Sequence, residues 1–190
     1  MLATSLTAAV FGVDAHLVRV EADTANGFPK FTMLGLPDSA IKESEGRIRA
    51  ALRNCGYDFK WDRRITVNMA PANLRKAGSS YDLATAMGLL AADGSVPQAP
   101  LRDVLLVGEL ALDGAVRPVS GLLPMMLMAR QNGIRVAVVP EANASEAAKR
   151  AIEAGVDMEL PHIQCNDSLL QQIKDGVDVA VETIVTLTCE

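Results

Sequence analysis

The ten residues Tyr81-Asp82-Leu83-Ala84-Thr85-Ala86-Met87-Gly88-Leu89-Leu90 place the strongest constraint on the fold. At 3.6 residues per turn they are apolar on nearly every side, and such a helix needs cover all round. A sheet on one side with other elements around it supplies that cover. A second apolar helix is predicted from about Leu122 to Arg130, closed by Asn132-Gly133. With 190 residues, 49% apolar but only 4% aromatic, the chain can bury an aliphatic core without a disulfide or metal staple.

Strand signals surround these helices. Residues 2–11 and 14–23 alternate and are rich in Val, Leu and Thr, with Gly12-Val13-Asp14 as the turn of an opening hairpin. Lys30 to Leu36 reads as a short strand. A helix then opens at Pro37-Asp38-Ser39, capped by Asp38 or Ser39, and ends at Asn54-Cys55-Gly56. Arg64 to Met69 and Val104 to Leu110 read as strands, and Asp113-Gly114 as a hairpin turn leading to Val116-Val119. Further on, the pattern predicts a strand at 136–139, a helix at 142–154, a strand at 158–160 and a helix at 168–174. These elements point to an α/β fold of the α+β type, a mixed sheet with packed helices. The expected organisation is one domain over 1–175, with 176–190 as an extension or the start of a linker.

Several function classes are disfavoured. Cys55, Cys165 and Cys189 are scattered, no C-x-x-C pair exists, and His16 and His162 are the only histidines, so no metal site is expected. Reduced thiols fit a cytoplasmic protein. The N-terminus lacks a basic stretch before its apolar residues, which argues against a signal peptide, and no apolar run reaches membrane-spanning length. The phosphate-binding pattern Gly-x-x-x-x-Gly-Lys-Ser/Thr and the dinucleotide pattern Gly-x-Gly-x-x-Gly are both absent. No ATP hydrolysis and no cofactor are therefore expected of this chain alone.

Charge is unevenly placed. The net charge is −5, yet residues 42–76 hold nine basic side chains against four acidic ones and carry +5. Lys42, Arg49 and Arg53 fall on one helical stripe, joined by Arg63, Arg64, Arg75 and Lys76 as candidates for nucleic-acid binding or subunit docking. A solvated flank laced with Glu43, Glu45 and Asp62 is the plainer reading. Tyr57, Phe59 and Trp61 alternate nearby, so a strand face able to stack on bases is a further expectation.

Four separated motifs belong together: Gly35-Leu36-Pro37-Asp38 with Lys42-Glu43-Ser44; Ile65 to Ala72; Arg75 to Leu83; and Gly108-Glu109-Leu110-Ala111-Leu112-Asp113-Gly114 with Arg117-Pro118-Val119. In order and over about residues 1–175, they resemble the N-terminal domain of the YifB/ComM family, magnesium chelatase-like bacterial AAA+ proteins. The resemblance implies a fold like the Lon protease catalytic domain, of the ribosomal protein S5 domain 2 type. It further implies a neighbouring AAA+ module that binds ATP and Mg, a hexameric assembly, and DNA branch migration in natural transformation. The chain is expected to be either an excised domain or a short family member.

The Lon likeness frames one catalytic test. Gly78-Ser79-Ser80 resembles the Lon segment around its nucleophile, which places Ser80 at the nucleophile's position. Counting from Val119-Ser120-Gly121-Leu122, the position of the Lon lysine holds Leu123. A serine without its base is a poor nucleophile, and losing one member of such a unit costs on the order of 10⁶ in rate. No lysine lies between Lys76 and Lys149, and Lys76 sits in a polar loop taken to be mobile. Ser79-x-x-Asp82 is instead expected to form a capping box for the buried helix. The favoured reading is a non-catalytic assembly domain of a AAA+ machine that guides DNA. A Ser–Lys peptidase using Ser80 and a stand-alone interaction domain are the rivals. Asp103, Glu109 and Asp113 are assigned to turn and hairpin chemistry.

Overall fold

A computed structural model describes residues 1–143 and 184–186. The opening hairpin forms as expected. β1 (Leu2–Phe11) and β2 (Asp14–Ala25) pair antiparallel from Leu2 opposite Asp23 to Phe11 opposite Asp14. β3 (Lys30–Leu34) follows, then the short α1 (Ser39–Lys42), α2 (Ser44–Asn54) and β4 (Arg64–Ala70). The expected single helix over 39–54 is thus interrupted at Glu43, which ends α1 and begins α2. Asp38 is the cap, its Oδ1 accepting the Ile41 N–H at 2.9 Å.

α3 (Asp82–Asp93) is the central helix, followed by α4 (Gln98–Leu101) and β5 (Val104–Leu106). The strand expected over 104–110 divides. β5 stays in the main sheet, while β6 (Glu109–Leu110) leaves it to form a hairpin with β7 (Val116–Arg117). The division falls at Gly108, whose N–H donates to the Ser80 carbonyl (3.0 Å) and whose carbonyl accepts from the Leu83 N–H (3.1 Å). A Cβ at Gly108 would lie 2.3 Å from Val116, so only glycine lets the hairpin close against the start of α3. α5 (Leu122–Gln131), β8 (Val136–Val138) and β9 (Ile184–Thr186) complete the described elements. The elements expected at 158–160 and 168–174, most of the helix at 142–154, and the boundary at 175 fall outside the described residues.

Seven strands form one mixed sheet in the order β3-β4-β2-β1-β5-β8-β9. β1–β2, β2–β4 and β8–β9 are antiparallel; β3–β4, β1–β5 and β5–β8 are parallel. α3 crosses one face over β1 and β2 and packs against α2 and α4, and α5 lies against the same two strands. The α3 side collects Val18, Val20, Ile48, Leu52, Val67, Met69, Leu89 and Leu90. The α5 side collects Leu6, Leu105, Met125, Met126 and Ile134. Each fully buried aliphatic side chain of this kind stabilises the fold by about 1.5–3 kcal/mol. Every described residue of α3 except Asp93 is buried, the burial its composition demands. Among the described residues no helix is long and apolar enough to cross a membrane.

Candidate functional site

The start of α3 brings together the residues singled out for chemistry. Ser79 and Ser80 are half-buried in the turn before the helix. Ser79 Oγ donates to the Glu109 carboxylate on β6, which also takes the Arg117 guanidinium of β7 at 3.4 Å. Asp82 is buried and receives Arg47 of α2 at two points, Nε to Oδ2 at 2.6 Å and Nη2 to Oδ1 at 3.1 Å. The Leu110 N–H donates to the same carboxylate at 3.3 Å. Arg47 Nη2 reaches the Ala40 carbonyl as well (3.0 Å), so one guanidinium ties α1, α2 and α3 together.

This geometry overturns the capping box. Tyr81, not Ser79, occupies the N-cap position, and no side chain caps the helix. Ser79 Oγ is turned to Glu109 and the Asp82 carboxylate to Arg47, so neither serves the helix end; the Leu83 N–H finds the Gly108 carbonyl instead. Burial pushes the Asp82 carboxyl up from its ordinary range, with the Arg47 guanidinium and the Leu110 N–H pulling it back. The hydrogen bond to Asp82 raises Arg47 further. Burial also holds the Tyr81 phenol up at about 12.

Lys76 is fully buried rather than mobile. Its ammonium donates to the Pro71 carbonyl, and its backbone bridges Pro37 through Lys76 N to Leu36 O (3.3 Å) and Asp38 N to Lys76 O (3.1 Å). Burial lowers its pKa. Its hydrogen bond goes to a carbonyl and not to Ser80. Leu123 lies half-buried in the first turn of α5.

The basic candidates separate into two groups. Lys42, Arg53, Arg64 and Arg75 are exposed and have no ion pair among the described residues. The others are engaged. Arg49 pairs with Glu45 (2.9 Å) and lies 4.2 Å above the Trp61 ring, and Arg63 meets Asp93 at 3.7 Å. Lys76 is inside the protein and cannot meet a polyanion at the surface.

No strand forms over Tyr57 to Trp61. Phe59 is buried, Trp61 packs edge-on against it at 4.7 Å and faces Phe31 at 6.2 Å, and Arg49 covers the indole. These rings are core packing with a cationic lid, and the expected stacking face is not built. His16 is exposed on β2, edge-on to Phe11 at 5.8 Å. Asp113 does serve its hairpin turn, accepting the Ala115 N–H at 3.1 Å. Glu109, expected only to serve the hairpin, binds Ser79 30 residues away, and Arg47 finds Asp82 across 35 residues, separations that local spacing does not reveal.

A mixed α/β domain whose central helix starts at a serine turn, clasped by a Gly-Glu hairpin, is the class that fold and site define. The chain belongs to the family described as subunit ChlI of Mg-chelatase, whose profile matches residues 20–143. Among its relatives, the competence protein ComM of Haemophilus influenzae is 42% identical over 77% of this chain and 28% of that protein. YifB of Salmonella typhimurium is 43% identical over 76% of the chain and 28% of its own length. A Lon protease of Trichlorobacter lovleyi is 29% identical over 70% of the chain and 17% of that protein. The chain spans less than a third of the length of the curated relatives it matches.

Proposed function

We propose that this domain is the non-catalytic assembly and DNA-guiding part of a AAA+ ATPase related to ComM and YifB. Its partners on this reading are the AAA+ module of the same protein, further copies in a hexameric ring, and DNA. ATP and Mg belong to that module and not to this domain. The observation that supports a non-catalytic role is the state of the serine turn. No described lysine hydrogen-bonds Ser80, the residue at the nucleophile's position: the nearby Lys76 is buried on the Pro71 carbonyl, and Leu123 stands where the Lon resemblance puts the base. Lys42, Arg53, Arg64 and Arg75, exposed and without an ion pair among the described residues, support a sequence-blind contact to phosphates.

The test is to treat the purified chain with a fluorophosphonate serine probe and with casein, beside its Ser80→Ala variant. The expected result is no Ser80-dependent labelling and no cleavage. Labelling that disappears in Ser80→Ala would replace this reading with a Ser–Lys peptidase.

A further inference from the structure

We propose that the open edge of strand β3 is a docking site for an extended acidic segment of a partner polypeptide, which adds to the sheet as an eighth strand. β3 ends the sheet order and pairs only with β4 among the described residues. The Lys30 N–H donates to Arg63 O at 3.3 Å, so Lys30, Thr32 and Leu34 turn their backbone toward β4. Alternation then points the N–H and C=O groups of Phe31 and Met33 outward, where no described residue meets them. An edge of this kind is a template for another strand unless it is blunted.

Both ends of the edge carry a recognition element. Lys30 stands beside Arg64 in register, both exposed and both without an ion pair among the described residues. Two free cations side by side favour a carboxylate. At the other end Leu34 and Leu36 are 48% and 58% exposed. Leu36 has a φ of +56°, a conformation that disfavours a side chain, and it persists because Lys76 N and the Pro37–Lys76 bridge clamp the loop. The fold therefore keeps an apolar side chain in solvent at a strained position.

Lys30 and Leu34 share one face of the strand, four residues and about 13 Å apart. The fitting ligand is an antiparallel strand with an aliphatic residue and, four positions later, an acidic one. Nucleic acid offers charge but no strand backbone and no aliphatic group.

The experiment uses the full chain and the acetylated peptide Thr-Leu-Thr-Val-Thr-Glu-Glu, read by fluorescence anisotropy and by amide hydrogen exchange. Saturable binding that weakens with salt, with the Phe31 and Met33 amides slowed about tenfold or more, is expected. Lys30→Glu with Arg64→Glu should weaken binding about tenfold. Met33→Pro deletes an outward N–H and no bond to β4, so it should abolish binding in a chain that circular dichroism shows to be folded. If Met33→Pro does not fold, the amide readout on the unaltered chain decides alone. No binding at millimolar peptide, binding that leaves both amides unprotected, or protection of them by a single-stranded oligonucleotide but not by the peptide would each overturn the proposal.

Discussion

Arg47 on α2 and Asp82 on α3 meet in a two-point ion pair at 2.6 and 3.1 Å, with the carboxylate buried and the guanidinium half-buried. The pair closes the start of the central helix where a capping serine was expected. Removing the cation leaves a buried carboxylate with the Leu110 N–H and no counter-charge, whereas removing the carboxylate leaves a guanidinium that water can reach. Arg47→Met should therefore cost about 3 kcal/mol and Asp82→Asn about half of that. Urea denaturation of the two variants checks the order; equal losses would contradict it.

Tyr81 supplies a pH signature. Its phenol is held at about 12 by burial, against an ordinary value near 10. Below pH 10 both native and unfolded chains keep the proton. From pH 10 to 12 the unfolded chain releases it while the native chain retains it, so stability falls across that window, by about 2–3 kcal/mol at its upper end. Tyr81→Phe should flatten this part of the stability curve. Denaturant midpoints measured between pH 8 and 12 provide the comparison.

Gly35 and Gly46 should respond to alanine in opposite directions. At Gly35, φ is +96° and an added Cβ would lie 2.1 Å from the Met69 carbonyl oxygen in β4. Gly35→Ala must push β3 from β4 and should cost about 3 kcal/mol or more. Gly46 sits in the exposed first turn of α2 with nothing within 4 Å of a new Cβ. Gly46→Ala should stabilise by up to about 1 kcal/mol. Thermal unfolding of both variants decides the signs.

If DNA meets the basic segment, exposed and buried cations must behave differently. Arg53→Glu and Arg75→Glu should weaken binding of single-stranded or branched DNA, which is expected at about micromolar affinity at best and to fall steeply with salt. Lys76→Gln should leave DNA affinity unchanged while lowering stability by about 1–3 kcal/mol, because its ammonium faces the Pro71 carbonyl. Anisotropy titrations at two salt concentrations measure the first effect and denaturation the second. A Lys76 variant that loses DNA affinity while keeping its stability would reverse this assignment.

Local rules carried much of the architecture. The 3.6-residue pattern placed α3 and α5, alternation with Gly12 gave the β1–β2 hairpin, and Asp113-Gly114 marked the β6–β7 turn. All of these depend on neighbours within a few residues, the range over which spacing and turn chemistry act. Where Ser79, Asp82, Lys76 and Trp61 find their partners was not legible. The competing choices were all locally acceptable: a serine can cap as well as bind Glu109, and a lysine in a polar loop can be solvated as well as buried. Only the folded chain, by bringing β6 to the start of α3 and Pro71 over Lys76, made one partner available and removed the other. The sequence by itself determined the principal helices and strands, such as α3, α5 and the β1–β2 hairpin, but not the short α4 or the absence of a strand at 57–61. The tertiary structure decided which polar groups meet, because a contact such as that of Ser79 with Glu109, 30 residues apart, depends on how the layers pack.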